Sequence, residues 1–362
     1  MRISARQHRQ RVITGRQAAF GDRTRVGWQG KALLVLEAVS LQAPAAWHNR
    51  MLALRRPIGK VRTCTASCPN RHGCTNIILW SSQQGKRSPM GLAPQAAVSA
   101  ITASRVEASL ALGRTPIGVA HSSSEICWAI SGIPMASFNA AIRVRTAADP
   151  DRQIDAIQQT FAQRSMPFIW WVTQDDSKNG LETQLRKHGF DYHGDESIGM
   201  AIALSHQPEL TPRGESVSVE RIFDGHHIRT WFATLLESFH VTVDERTMDL
   251  ATTVFSHLTN DTLSGWHLYL ARMSGQPVGT CALHLGTTAG LYSVGTVPSA
   301  RRRGVGTALT RRALAEASSA GHSIASLTAS GLGAGLYRAL GFEEYCRFRE
   351  YVWRPSSTAD RK

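Results

Sequence analysis

From about residue 98 the chain alternates short apolar runs with stretches of helical periodicity. The runs ICWAISGI (126–133), AAIRVR (140–145), FIWWVT (168–173) and IGMAIAL (198–204) are short and rich in branched or aromatic residues, so they read as strands. Between them RVEASLAL (105–112) reads as a helix. RQIDAIQQTFAQR (152–164) is a second, with Ile154, Ile157 and Phe161 on one face, and LETQLRKHGF (181–190) a third, stopped by its glycine. The stretch HQPELTPRGE (206–215), with two prolines and a glycine, reads as a linker.

The same rhythm resumes beyond it. VSVERI (217–222) predicts a strand and IRTWFATLLESF (228–239) a helix. WHLYLAR (266–272), the turn MSGQP and VGTCALHL (278–285) predict a hairpin, followed by a strand GLYSVGTV (290–297). The helix GVGTALTRRALAEASSAG (304–321) turns Val305, Ala308, Leu309, Arg312, Ala313 and Ala317 to one side. SIASLTA (323–329) is the next strand, GAGLYRALGF (333–342) a short helix, and YCRFREYVW (345–353) the last strand. The order β-α-β-β-β-α-β-α-β predicts an α/β protein with a mixed sheet. Expected units are 95–205, a linker 206–215, and 216–355.

Residues 1–90 look different. They hold 16 Lys and Arg against 2 Asp and Glu, whereas the rest of the chain holds 25 of each, so the formal net charge of +14 arises entirely in this arm. A nucleic-acid argument from charge therefore applies to the arm alone. Its best apolar run, ALLVLEAV (32–39), is too short to span a bilayer and poorly placed for a secretory signal. The arm resembles a transit peptide in composition, or an upstream reading of a chain starting at Met90, and is expected to stay outside the fold. Its Cys64, Cys68, His72 and Cys74 do not match the spacing of a structural zinc site, and no metal is expected. Reduced cysteines elsewhere, Cys127, Cys281 and Cys346, fit a cytoplasmic protein.

The candidate chemistry sits in VPSARRRGVGTAL (297–309). A strand ends, three arginines follow, and Gly304 and Gly306 open a helix. Unpaired amides and the positive dipole end of a helix attract anions, glycines let a ligand approach the backbone, and arginines add charge. With VGTVP before it and Tyr337-x-x-x-Gly341-Phe342 after it, this pattern resembles the GNAT (Gcn5-related N-acetyltransferase) superfamily, over about 217–353. The resemblance implies an acetyl-CoA site. Thr296 and Val297 would pair with the pantetheine arm, and Arg301, Arg302, Arg303, Gly304, Val305, Gly306 and Thr307 would surround the pyrophosphate. A splay between this strand and 323–329 would admit the thioester.

It further implies direct attack of an amine on the acetyl group, with Tyr337 as general acid toward the leaving thiolate. Two departures stand out. GLYSVGTV lacks the glutamate that many members carry as base, leaving His267, His284, His240, Glu237 or a water relay as candidates. The family's Asn before the short helix is replaced in TASGLGAGLY, where Ser330 takes part of its role. A non-catalytic acyl-CoA-binding sensor is the alternative reading. The acceptor is expected to be a small-molecule or peptide amine, with no membrane partner. In the first half, LRKHGFDY (185–192) can be laid on YRALGFEE (337–344), with Leu185 at the place of Tyr337, and SGIPMASFNAAI followed by PFIWWVT is similar to N-terminal halves of bacterial tandem members. A degenerate first unit is expected, with QDDSKNGLE in place of the anion loop and one acyl-CoA bound per chain.

Overall fold

The computed structural model describes residues 91–143, 149–194, 196–206, 217–261 and 263–355. The basic arm, with its Cys64, Cys68, His72 and Cys74, and nearly all of the expected linker lie outside the described residues. The first half holds α1 (Pro94–Gly113), β1 (Val119–Ser122), β2 (Ile126–Ile130), β3 (Ala140–Arg143), α2 (Pro150–Ala162), β4 (Phe168–Val172), α3 (Gln174–Lys178), α4 (Leu181–Lys187), β5 (Asp191–Tyr192) and β6 (Ser197–Ala203). The second holds β7 (Ser218–Ile222), α5 (Gly225–Ser238), α6 (Glu245–Asn260), β8 (Trp266–Met273), β9 (Gln276–Leu285), β10 (Ala289–Thr296), α7 (Val305–Ser319), β11 (Ile324–Ala329), α8 (Ala334–Ala339) and β12 (Glu343–Trp353). The mixed α/β sheet expected from the sequence is the one the chain builds.

Helix α6 was not foreseen. Its Thr-rich sequence reads poorly as helix because threonine is stiff at χ1 and competes for backbone bonds. Here those hydroxyls bond back along the helix, Thr252 to the Met248 carbonyl at 2.8 Å and Thr253 to that of Asp249 at 2.9 Å. Asp244 caps the helix through the Thr247 amide, and Ala251, Val254, Phe255 and Leu258 form its buried face. Helix α1 also starts eleven residues earlier than its periodicity suggested, with Pro94 in the first turn. Small and apolar residues surround its axis because it is buried on several sides, against β2, β6, β10, β11 and β12.

One continuous sheet carries both halves, in the order β1-β2-β3-β4-β12-β6-β11-β10-β9-β8-β7. The halves exchange strands to make it. β6 of the first half lies between β11 and β12, paired from Ile324↔Ala203 to Ala329↔Ile198 on one side. The end of β12 crosses the other way and pairs with β4 from Arg349↔Val172 to Trp353↔Phe168. Leu327, Tyr337 and Leu309 share a core under α7 and α8; Trp231, Phe255 and Trp266 share another under α5 and α6. The opposite end is filled by aromatics, Phe161 stacking on Phe168 at 4.0 Å with Trp170 and Phe190 beside them.

Candidate functional site

Strands β10 and β11 run parallel but are paired over only three positions, Ala289↔Ala325, Gly290↔Ser326 and Leu291↔Leu327. Beyond Leu291 the β10 ladder continues with β9 alone, as far as Thr296↔Gly279. A bulge between Tyr292 and Gly295 turns the strand at this point, with Ser293 in the left-handed region (φ 51°) and its carbonyl accepting from Thr280 Oγ1 at 2.8 Å. The two strands thus part at their C-terminal ends, in the middle of the sheet. That is the opening expected between GLYSVGTV and SIASLTA.

At the mouth of this opening the Val297 amide still donates to Val278, and a short turn, Pro298–Ala300, leads to the arginines. Arg301 is used inside the protein. Its Nε donates to the Thr296 carbonyl at 3.2 Å and its terminal nitrogen to the Ser238 carbonyl, the end of α5, at 2.7 Å. A cation at the negative end of a helix ties the loop to α5. Arg302, at φ 64°, and Arg303 are exposed. Gly304 is the residue before α7, at φ 85°, and no side chain caps the helix. The amides of Val305, Gly306 and Thr307 are therefore the first-turn donors of an uncapped helix, which by position lack intrahelical acceptors.

Gly306 has a packing reason of its own. A Cβ there would come within 2.9 Å of Leu336 Cδ2 on α8. Gly279 likewise makes room for Val305, whose Cγ1 would stand 2.6 Å from a Cβ at that position. Gly306 thus lets α8 come close to the entrance of α7, and Gly279 lets β9 do so.

Tyr337 projects from α8 into the core shared by α7 and β11, edge-on to Phe342 at 5.8 Å. Burial pushes its phenol above the ordinary tyrosine range, as it pushes the Cys281 thiol on β9. Ser330 shapes the start of α8, its hydroxyl accepting from the Gly333 amide at 3.2 Å and its carbonyl from Ala334 at 3.0 Å. Next to it Leu332 is 91% exposed.

The four candidate bases separate. Glu237 and His240 are exposed at the end of α5, beside Ser238, which lies 2.8 Å from where a Gly295 Cβ would be. His267 is on the α7 side of β8, 3.7 Å from Glu316; burial and Arg221 lower its pKa to about 4. His284 is buried against Trp266 at 5.1 Å, opposite Gly290 and ahead of the bulge, and burial lowers its pKa to about 3. The last two are not at the opening.

A polar cluster missed by the sequence reading lies on the other face of the sheet. Arg105 of α1 donates to Thr328 Oγ1 at the end of β11, and its guanidinium lies over the Trp171 ring at 3.4 Å. Ser197 of β6 donates to Glu350 Oε1 of β12 at 2.5 Å, and Glu350 is 1% exposed. One signal was available: Glu350 alternates with Phe348 and Val352, two inward-facing apolar residues, so a charge stands at a core position. Among the described residues, Asp224, His226 and His227 bring possible metal-ligand atoms within 4.8 Å of one another, but they are at the surface and both Asp224 oxygens are already bonded to His227.

The topology also moves the first half's counterpart of the anion loop. The connection that follows the equivalent strand is β3 to α2, not the QDDSKNGLE segment after β4, which forms α3 and leads into α4. Chain order alone could not show which parallel pair was equivalent.

Residues 264–344 match the sequence model of the acetyltransferase (GNAT) domain. No curated protein matches the sequence significantly. Among solved structures, a GCN5-related N-acetyltransferase from Kribbella flavida is 21% identical, covering 75% of this chain and 99% of its own, with a TM-score of 0.51. A functionally unknown conserved protein from Staphylococcus epidermidis is 12% identical over 65% of this chain and 93% of its own, at 0.49. A GCN5-related N-acetyltransferase from Sphaerobacter thermophilus is 17% identical over 65% and 82%, at 0.44.

Proposed function

We propose, from the match of residues 264–344 to the acetyltransferase (GNAT) domain, that the protein is an N-acetyltransferase that moves the acetyl group of acetyl-CoA to an amine by direct attack. The observation that carries this reading is the entrance of α7. An uncapped helix, preceded by a left-handed glycine, stands at the end of a strand that has just parted from its neighbour. Anions bind at such an entrance without side-chain help. Val305, Gly306 and Thr307 supply amides to the pyrophosphate, and Arg302 and Arg303 add charge at the surface. Arg301 acts indirectly, by holding the loop to Thr296 and Ser238.

The pantetheine arm follows the freed edge of β10 at Thr296 and Val297, which brings the thioester to the opening between β10 and β11. The amine nitrogen attacks the carbonyl carbon, the carbon–sulfur bond breaks, and the thiolate takes a proton. Tyr337 gives that proton: burial keeps its phenol protonated at every ordinary pH. Positioning and oriented amides supply most of the rate.

The first half supports the site from outside. Its β6 pairs along the whole of β11 and fixes the strand that forms the far side of the opening. Thiol release from acetyl-CoA, followed over a panel of small amines and peptide N-termini, tests the proposal. CoA release that depends on one amine class supports it. Tight acetyl-CoA binding with no release on any amine would instead make the protein a sensor, as the missing carboxylate on β10 allows.

A further inference from the structure

We propose that Glu350 is the group that takes the proton from the acceptor amine, the base that β10 does not carry. The inference rests on the acetyltransferase reading and on four observations.

The first is location. The last pair between β11 and β6 is Ala329↔Ile198, so Ser197 stands one position beyond the end of that ladder, where β10 and β11 have already separated. Ser197 holds Glu350 directly. Arg105 reaches the same place from α1, bonded to Thr328, one residue before Ala329. The carboxyl is thus bonded to the residue just past the β11–β6 ladder and feels the charge of Arg105, which is itself bonded to the C-terminal end of β11.

The second is the face. Tyr337 belongs with Leu327 and Ala329 to the core beneath α7 and α8. Glu350 pairs with Trp171 across the β12–β4 ladder and alternates with Phe348 and Val352, all three in the core under α1. Proton donor and proton acceptor thus lie on opposite faces of the sheet. Loss of the nitrogen's proton and protonation of the sulfur therefore fall to separate groups on either side of the sheet.

The third is an unmet bond. Oε1 accepts from Ser197, but Oε2 is buried and has no hydrogen-bond partner. A buried oxygen without a partner costs stability, more so when it is charged, so it calls for an explanation, and the proton of an amine supplies one. Oε2 is the atom assigned to the amine proton, met directly or through one water.

The fourth is electrostatic. Burial raises the Glu350 carboxyl to about 7, against the lowering effects of the Ser197 hydrogen bond and the Arg105 charge. A base with that value is ionised in half the molecules at neutral pH and can still hold a proton. The groups facing it are Ser197 from β6, Arg105 from α1 and Trp171 from β4, with Cys346 of its own strand also within reach of Arg105. In the step itself the nitrogen lone pair forms the N–C bond, the C–S pair leaves with sulfur, Tyr337 protonates sulfur, and Glu350 takes the nitrogen's proton. No further reactant is needed.

The test uses the full chain and an amine that the wild type acetylates, with kcat followed from pH 5.5 to 9 at saturating acetyl-CoA. The wild type should lose activity on the acid side near pH 7. Glu350→Gln should lower kcat by ~100-fold or more and abolish that limb, with the acetyl-CoA Kd unchanged. Its fold is checked by Tm. A carboxyl raised by burial stabilises the fold only while protonated, so the wild type should lose stability as pH rises from about 4.5 through 7, and the Gln variant should not. Ser197→Ala removes a bond that favours the ionised form, and should move the limb to higher pH with Kd kept; it serves alone if the Gln variant does not fold. Retention of kcat within about threefold and of the same limb in Glu350→Gln, or an unmoved limb in Ser197→Ala, would overturn the assignment of Glu350. A wild type that binds acetyl-CoA but releases no CoA with any amine would overturn the acetyltransferase reading itself.

Discussion

The connections β10–α7–β11 and β3–α2–β4 share a topology: strand, loop, helix, and a second strand parallel to the first over three residue pairs. At the helix entrance they part ways. Before α7 stands Gly304, left-handed and without a side-chain cap; before α2 stands Asp149, whose carboxylate accepts the Arg152 amide at 3.0 Å, with Pro150 and Asp151 following. One entrance leaves its amides to a ligand, and the other supplies its own anion. The interior beneath differs in the same sense. Under β4 the space is filled by Phe161, Phe168, Trp170 and Phe190, with Leu185 on α4, whereas under β11 stand Ala325, Leu327, Ala329 and Tyr337. The proposed anion site thus differs from its counterpart by what is left out: a cap, a side chain at the turn, and bulk between two strands.

The largest expected effect comes from separating the halves. A chain consisting of 207–362 loses β6, which leaves β11 and the start of β12 without the strand between them. It should give no soluble folded product, read by expression and by loss of a cooperative melting transition, because two unpaired edges and an uncovered apolar face invite aggregation. A soluble, acetyl-CoA-binding fragment would show that the second half closes its own sheet. Tyr337→Phe comes next. It keeps the packing against Phe342 and removes the donor, so kcat should fall ~100-fold with little change in acetyl-CoA Kd.

A smaller effect contrasts the two entrances directly. Gly304→Val places a β-branched residue at φ 85°, and acetyl-CoA Kd should rise ~10-fold or more, with a stability loss of about 1–2 kcal/mol. Asp149→Ala should cost about 1 kcal/mol of stability through the lost cap and leave acetyl-CoA Kd unchanged. Equal effects of the two on binding would mean that the first entrance also takes the ligand. Least in size, calorimetry on the wild type should return one acetyl-CoA per chain; two equivalent sites would erase the contrast.

The sequence by itself determined the elements that depend on near neighbours. The short apolar runs at 168–172 and 289–296, the stripe of Ile154, Ile157 and Phe161, and the arginine-glycine loop ahead of α7 were legible because composition, period and turn chemistry are local properties. Helix α6 was missed where local propensity misleads, since its threonines are satisfied only once the helix exists. Only the tertiary structure decided the rest. It bonded Arg301 to the end of α5, and it set His267 and His284 away from the opening. It also exchanged β6 and β12 between the halves, which brought Ser197 to Glu350 and Arg105 to Thr328 from distant parts of the chain. Which strand lies beside which is fixed by burial of whole faces, a property of the assembled sheet that no window of sequence contains.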